Sequence, residues 1–307
     1  MIRPPLRRLA AALALAAATA CAGALPPPPA PTNPIRFLSI NDVYVADTLA
    51  DGAGGLARVA AIRDRIALEG PTLFVLAGDF LSPSALSRHY NGRHMVEALN
   101  AARLDYATFG DHDFELPRDT LVARIGESRF KWLSANCTEP NGGPLPGTIP
   151  WDTVRLADRK VGLFGLTLSG TSPDYVRCGD PAAAARRAVD TLAAQGAELI
   201  VAVTHQPIEA DRRLLNRESR IDLILGGHEH EAQSLSVAGR HVLKADANAR
   251  TTQFATVWGA KGQWREAVTL LPVHSGLPAD SVTAAVVAAW RDSLRARSGG
   301  ERRSGGK

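Results

Sequence analysis

From Ile35 onward the chain alternates short apolar runs with segments whose apolar residues recur at helical spacing, the pattern of an α/β protein. Ile35 to Ile40 reads as a buried strand ending at Asn41-Asp42-Val43-Tyr44. Gly54-Gly55 opens a helical stretch with Leu56, Val59, Ala60, Ile62 and Ile66 on one face. Leu73 to Ala77 is a strand that ends at Gly78-Asp79, and helical Met95 to Ala102 leads to a strand from Tyr106 to Phe109. That strand ends at Gly110-Asp-His-Asp-Phe-Glu115. Further strands near Trp132 to Ala135 and over Val161 to Leu168 precede an alanine-rich helix from Pro181 to Ala194. Leu199 to Thr204 ends at His205, and Ile221 to Leu225 ends at Gly226-Gly-His-Glu-His230. Segments around His241 to Lys244, Thr251 to Val257 and Trp264 to Leu271 read as strands without helix-sized gaps, and a final helix covers roughly 279–294.

Polar residues punctuate these strand ends in a repeated way. Asp42, Asp79, Asp111-His112, His205, and His228 with His230 each follow a strand, where ligands bind in open α/β sheets. Glycines at 226 and 227 allow a tight turn and a close backbone approach. Imidazoles and carboxylates without nearby thiolates suit Mn, Fe, Zn or Co. A carboxylate shared between two such ions gives the two-metal clamp of phosphate-ester hydrolysis. The bland alternative is that each aspartate caps the helix or turn after it. That reading serves one cluster well and all of them together poorly.

Charge narrows the function class. The formal charge is +4 and the pI near 9.2. Setting aside the three leader arginines and a net four positive charges in the tail from Arg295 leaves about −3 for residues 21–294. A nucleic-acid-binding surface on the folded part is therefore not expected. Residues 1–20, with three arginines before an apolar run too short to span a bilayer, read as a signal peptide. Cys21 follows small residues, as in a bacterial lipobox, although Ala18 stands where leucine is usual. The proline-rich stretch 21–34 reads as a stiff spacer. An exported protein of the periplasm or cell envelope is expected, tethered to the membrane if Cys21 is lipidated. Cys137 and Cys178 either pair, as export permits, or stay free thiols. The main domain is placed at 35–294 and a disordered basic tail at 295–307.

Taken in order, Asn41-Asp42, Gly78-Asp79-Phe80, Gly110-Asp-His-Asp-Phe-Glu115, Thr204-His205 and Gly226-Gly-His-Glu-His230 resemble the motif set of the calcineurin-like metallophosphoesterases. Gly54-Gly55-Leu56-Ala57-Arg58, Ser134-Ala135-Asn136 and the run Val161 to Thr167 are similar to the 5′-nucleotidase branch. The resemblance runs from about Ile35 to Leu271. It implies a four-layer α/β/β/α sandwich holding two divalent or mixed-valence metal ions, and a small phosphoester as substrate. By the same resemblance Asp79 bridges the metals. Asp42 and His230 complete one site, and Asp111, His205 and His228 complete the other. His112 would then face the substrate and assist the leaving group, with Glu115 orienting it. Asn136, at a strand end, is a candidate substrate contact.

Two positions depart from the family pattern. Tyr44 stands where a histidine is usual; it either ligates as a phenolate, favouring ferric iron, or only packs and hydrogen-bonds. Asp111 replaces the usual asparagine, adding negative charge to the site. Members of the branch carry a second, base-binding domain, for which the residues past Leu271 leave no room, so nucleotide specificity is not expected to carry over. Hydrolysis of phosphodiesters or sulfur-containing esters, or a degenerate metal-binding module, are the rival readings. His89 and His94 are expected on the surface, and His241 without a partner.

Overall fold

The computed structural model describes residues 32–170 and 172–304. The first half comprises β1 (Ile35–Ile40), α1 (Leu56–Ala67), β2 (Thr72–Ala77), α2 (Ser87–Tyr90), α3 (Arg93–Ala101), β3 (Tyr106–Thr108), α4 (Arg118–Glu127) and β4 (Lys131–Leu133). Next come β5 (Cys137–Thr138), β6 (Thr148–Ile149), β7 (Trp151–Leu156), β8 (Arg159–Thr167), β9 (Arg177–Cys178), α5 (Pro181–Ala194) and β10 (Leu199–His205). The chain continues with α6 (Ile208–Arg217), β11 (Leu223–Gly227), β12 (Gln233–Val237), β13 (Arg240–Lys244), β14 (Thr251–Ala260), β15 (Gln263–Pro272) and α7 (Ser281–Ser304).

The strands form two large sheets. One runs in the order β15-β14-β1-β2-β3-β4-β6, the other β12-β13-β11-β10-β8-β7, and β5 pairs with β9 alone. Central strands are buried on both faces, which is why they read as continuous apolar runs. Along β10, Leu199, Val201 and Val203 face the other sheet and pack with Phe37, Val75 and Leu225. Ile200 and Ala202 point the opposite way, into Ala188 and Leu192 of α5 and Leu215 of α6. On the outer face of the first sheet, Leu38, Ile40, Phe74 and Leu76 pack against Leu56 and Val59 of α1, Met95 and Leu99 of α3, and Val287 of α7. The layering is thus α/β/β/α, as the motifs imply. Each such side chain removed from water contributes about 1.5–3 kcal/mol, which is what holds these short helices in place. Val201→Asp would set an unpaired charge between the sheets and break the sandwich.

Several local expectations change. α4 and α6 bury only Leu121 with Ile125, and Asp211 with Leu214 and Leu215, too few apolar residues to stand out along the sequence. β7 and β12 are edge strands of partly exposed, polar-rich residues, and escape the apolar pattern for the same reason. α7 continues to Ser304 rather than giving way after Leu294; Arg295, Ala296 and Arg297 are good helix formers, and no proline follows to stop it. Cys137 and Cys178 are disulfide-bonded across the β5–β9 pair, closing a separation of 41 residues. His89 is exposed as expected. His94 is not: it is 2% exposed, because α3 turns that side chain inward beneath α7. No helix among the described residues is long and apolar enough to cross a membrane. The leader, Cys21 and most of the proline-rich stretch lie outside the described residues.

Candidate metal centre

Strand register brings the polar ends together. Parallel pairing of β1 with β2 sets Ile40 beside Leu76, and pairing of β2 with β3 sets Ala77 beside Thr108. Asp42, Asp79 and Asp111 therefore leave the same edge of the first sheet. In the second sheet, His205 of β10 pairs with Gly227 of β11, next to His228 and His230. One sheet supplies the carboxylates and the other supplies the imidazoles. Packing of the sheets face to face closes them on each other.

The backbone at these positions is special. Asp42, Asp79, His228 and His230 all take positive φ, at 53°, 57°, 97° and 61°. Such conformations are costly for residues with a Cβ and persist where surrounding contacts impose them. Gly110 and Gly227 are required by close approach. A Cβ on Gly110 would lie 1.9 Å from Asp79 Oδ1, and one on Gly227 would lie 2.2 Å from the Ala77 carbonyl oxygen.

The centre has a buried floor and an open rim. Asp42, Asp79 and His205 are at most 2% exposed, whereas His228, Asp111, His112 and His230 are 34%, 42%, 42% and 51% exposed at their side chains. His205 Nε2 lies 3.3 Å from Asp79 Oδ2, 3.4 Å from Asp111 Oδ1 and 4.0 Å from Asp42 Oδ1. His230 Nε2 is 3.3 Å from Asp42 Oδ1, and His228 Nδ1 is 3.9 Å from Asp111 Oδ1. Two overlapping donor sets result, Asp42-Asp79-His205 and Asp111-His205-His228, each with ligand atoms within 4.8 Å of one another. His205 is common to both sets.

These atoms fit a cation. Asp42 Oδ1, Asp111 Oδ1 and His205 Nε2 are buried with no hydrogen-bond partner, an arrangement that is expensive unless something positive joins it. His205 Nδ1 donates to the Ala77 carbonyl at 2.8 Å, which turns Nε2 toward the carboxylates, as for a metal-bound imidazole. Burial disfavours charge on His205, yet Asp111, Asp79 and Asp42 hold its pKa well above the ordinary value. The neighbouring His205 in turn draws Asp111 down to about 2. A field that attracts a proton this strongly also attracts a metal ion.

Tyr44 reaches the same point. Its hydroxyl lies 3.1 Å from Asp79 Oδ2 and 3.0 Å from His230 Nε2. Burial, then Asp79 and Asp42, raise its pKa far above that of a free phenol, so it donates to Asp79 as a neutral group. His112 sits on the rim with Nδ1 2.6 Å from Glu115 Oε1, and Ser82 Oγ donates to Glu115 Oε2 at 2.8 Å. Burial lowers the His112 pKa, but Glu115, Asp79 and Asp111 together raise it above the ordinary value.

Asn136 is placed differently from the sequence expectation. Its amide donates to the carbonyls of Thr167 and Gly179 and accepts from Thr167 N–H, tying β8 to the segment that follows β9. With those groups engaged and the residue buried, it acts as a tether.

Some supporting residues carry little sign of their role in the sequence. Asp113, fully buried, accepts from the N–H groups of Asp79, Phe80, Leu81 and Gly110 and so fixes two strand ends at once. Burial and then Asp79 raise its pKa, against the pull of those N–H groups. Its position two residues beyond Asp111 is the available signal. Asn41 joins Asp42 Oδ2 to the Ala245 backbone, and Asn248 Oδ1 accepts from Tyr44 and Val45 N–H. Lys244 is buried at the end of β13 and donates to the Gln206 and Gly227 carbonyls and to Glu229, with Asp211 at 3.0 Å. It clamps the backbone that carries His205 and His228. A lysine directly after the apolar pair Val242-Leu243 is its sequence sign.

Comparison with known proteins agrees with this geometry. Residues 35–232 match the family model described as calcineurin-like phosphoesterase. A snake venom 5′-nucleotidase of Naja atra is 29% identical over 191 residues, covering 58% of this chain and 36% of that protein. The chain spans about a third of the length of the curated relatives it matches, 36% in that case. Among solved structures, a 5′-nucleotidase precursor from Thermus thermophilus superposes with a TM-score of 0.76 at 24% identity, covering 86% of this chain and 59% of that one. The calcineurin-like phosphoesterase YfkN from Bacillus subtilis gives 0.74 at 18% identity, covering 86% of this chain and 98% of that one.

Proposed function

The chain belongs to the calcineurin-like phosphoesterases, and from that premise we propose an exported, metal-dependent hydrolase of small phosphate monoesters, nucleotides among them. The observation that carries this reading is the meeting of three buried, unpartnered donor atoms, Asp42 Oδ1, Asp111 Oδ1 and His205 Nε2, at the junction of the two sheets. Asp42, Asp79 and His230 would hold one metal ion, and Asp79, Asp111, His205 and His228 the other. When bound, the two ions supply charge neutralisation for the phosphate and activation of water near neutral pH. Tyr44 serves as a hydrogen-bond donor to Asp79 in place of a further ligand.

Hydrolysis forms a bond from the oxygen of water to phosphorus, breaks the bond from phosphorus to the ester oxygen, and leaves a proton on the departing alcohol. His112 is the group placed to deliver that proton. With Glu115 holding Nδ1, its Nε2 is free on the open rim of the centre. Asp113, Lys244 and the glycines at 110 and 227 keep the floor fixed, so little reorganisation is needed when charge develops. Export rests on the leader-like residues 1–20, and the relatives that are 5′-nucleotidases support monoesters as the substrate class.

The test is hydrolysis of a phosphoester panel by protein reconstituted with Mn, Fe or Zn, beside His228→Ala. Metal-dependent turnover in the wild type that falls by about 10²–10³-fold in the variant is the expected outcome. Folded protein that binds a single ion and hydrolyses no ester would instead be a metal-binding module.

A further inference from the structure

Behind Tyr44 lies a cavity that the chemistry above does not use. It has a volume of about 200 Å³ and is lined by Tyr44, Ala85, Leu86, His94, Val287 and Trp290. Its walls come from the loop after β1, the loop after β2, α3 and α7. The Arg291–Asp47 ion pair, at 3.0 Å, stands at its rim and ties α7 to the first of these loops.

Two features separate this cavity from a packing defect. The first is His94. It is 2% exposed, neither ring nitrogen has a hydrogen-bond partner, and its ring meets Trp290 edge-on at 6.4 Å between centroids. Burial lowers its pKa to about 4, so at neutral pH it is an uncharged imidazole offering one donor and one acceptor. Leaving such a group unsatisfied among apolar side chains is unfavourable, and a ligand with a hydrogen-bonding atom would relieve it. The second is Tyr44, which is shared. The residue lines this cavity, while its hydroxyl lies 3.0 Å from His230 Nε2 and its ring faces His112 edge-on at 6.4 Å. One tyrosine is the partition between the cavity and the candidate metal centre.

The geometry points to a subsite for the alcohol half of the phosphoester, taking a compact aromatic group that has apolar faces and at least one hydrogen-bonding atom for His94. This rests on the phosphoesterase reading and deepens it. Size agrees, since a closed apolar cavity of about 150 Å³ already accepts benzene. Trp290 and Tyr44 supply aromatic surface for stacking, and Leu86 and Val287 supply aliphatic walls. A phosphate held at the centre, with its ester oxygen toward His112, would need to turn only around Tyr44 to seat its organic group there.

The test compares two esters and one unphosphorylated probe on the metal-loaded protein. 3-Indoxyl phosphate has the required ring and N–H, glycerol 3-phosphate has neither, and indole binding is followed by calorimetry. Ala85→Trp fills the cavity from an exposed position and so leaves the core intact. His94→Leu removes only the imidazole. The wild type is expected to show a KM for 3-indoxyl phosphate about 10-fold below that for glycerol 3-phosphate, a difference of ~1.4 kcal/mol. Ala85→Trp erases that preference without changing turnover of glycerol 3-phosphate, and His94→Leu weakens indole binding about 5-fold while the protein stays folded. Equal KM values for the two esters, unaltered by Ala85→Trp, would overturn the subsite and leave the phosphoesterase standing. Turnover of neither ester by metal-loaded protein would overturn the phosphoesterase reading and the assignment of this cavity to a substrate with it.

Discussion

Two clusters of buried charge lie side by side at the ends of β10 and β11, and they are built on opposite principles. Around Lys244 the ammonium meets Glu229, Asp211 and the carbonyls of Gln206 and Gly227, so a cation and its anions are enclosed together. Around His205, three aspartates and two further histidines converge with no fixed cation, leaving Asp42 Oδ1, Asp111 Oδ1 and His205 Nε2 unpartnered. The first cluster contains its own cation, with Asp211 Oδ2 3.0 Å from Lys244 Nζ; the second gathers carboxylates and imidazoles suited to receiving one. A self-satisfied ionic group serves as scaffold, because any rearrangement exposes an unpaired charge. An unsatisfied one is a binding site that the rest of the fold holds open at a cost in stability.

The sharpest way to break this contrast is Asp79→Asn. The amide keeps an oxygen for His112 N–H, while one of several crowded negative charges disappears. Hydrolysis should fall by about 10³-fold and metal be lost. The melting temperature of the metal-free protein should rise. A metal-free protein less stable than wild type would show that the second cluster is not under electrostatic stress.

Lys244→Met is the converse. It removes the cation from that cluster, leaves the buried Asp211 and the half-buried Glu229 without their counter-charge, and should cost about 3–5 kcal/mol in denaturant unfolding. Since Lys244 Nζ also holds the Gly227 carbonyl, metal affinity in the fraction that folds should drop about 10–100-fold. Unchanged stability would remove Lys244 from the scaffold.

A third pair sharpens the comparison through its pH dependence. Glu266 of β15 lies 2.8 Å from His241 Nδ1 of β13, a partner that sequence spacing gives no reason to expect. Burial, and then the charge of Asp222, push Glu266 up to about 8. Its folded pKa is raised above the ordinary glutamate value. Its stabilising contribution is therefore complete below about pH 4.5 and is lost as pH rises through about 8. Melting temperature should decline across that window in the wild type, and Glu266→Gln should flatten the decline. An identical slope in the variant would mean that Glu266 does not titrate there.

How much of this is legible beforehand depends on range. The long apolar strands and the helix Pro181–Ala194 can be read from periodicity, because their buried faces are large and locally patterned. α4, α6, β7 and β12 cannot, since each buries a small or one-sided apolar surface whose partner lies far along the chain. Within the site, Asp42, Asp79, Asp111, His205, His228 and His230 are visible as polar residues at strand ends. Asp113, Asn248 and Lys244 act through backbone groups and through partners distant in the chain, and neither leaves a mark in spacing.

The order of residues alone determined which side chains stand at the mouths of the strands, because that follows from where each apolar run stops. Only the tertiary structure decided that the carboxylates leave one sheet and the imidazoles the other, and that packing the two sheets face to face makes one centre of them. It also decided that His94, expected at the surface, lies buried against Trp290, and that Asn136 is a tether. The physical reason is that a strand end is a local property, whereas sheet membership and burial depend on hydrogen-bond register and side-chain packing between segments far apart in the chain.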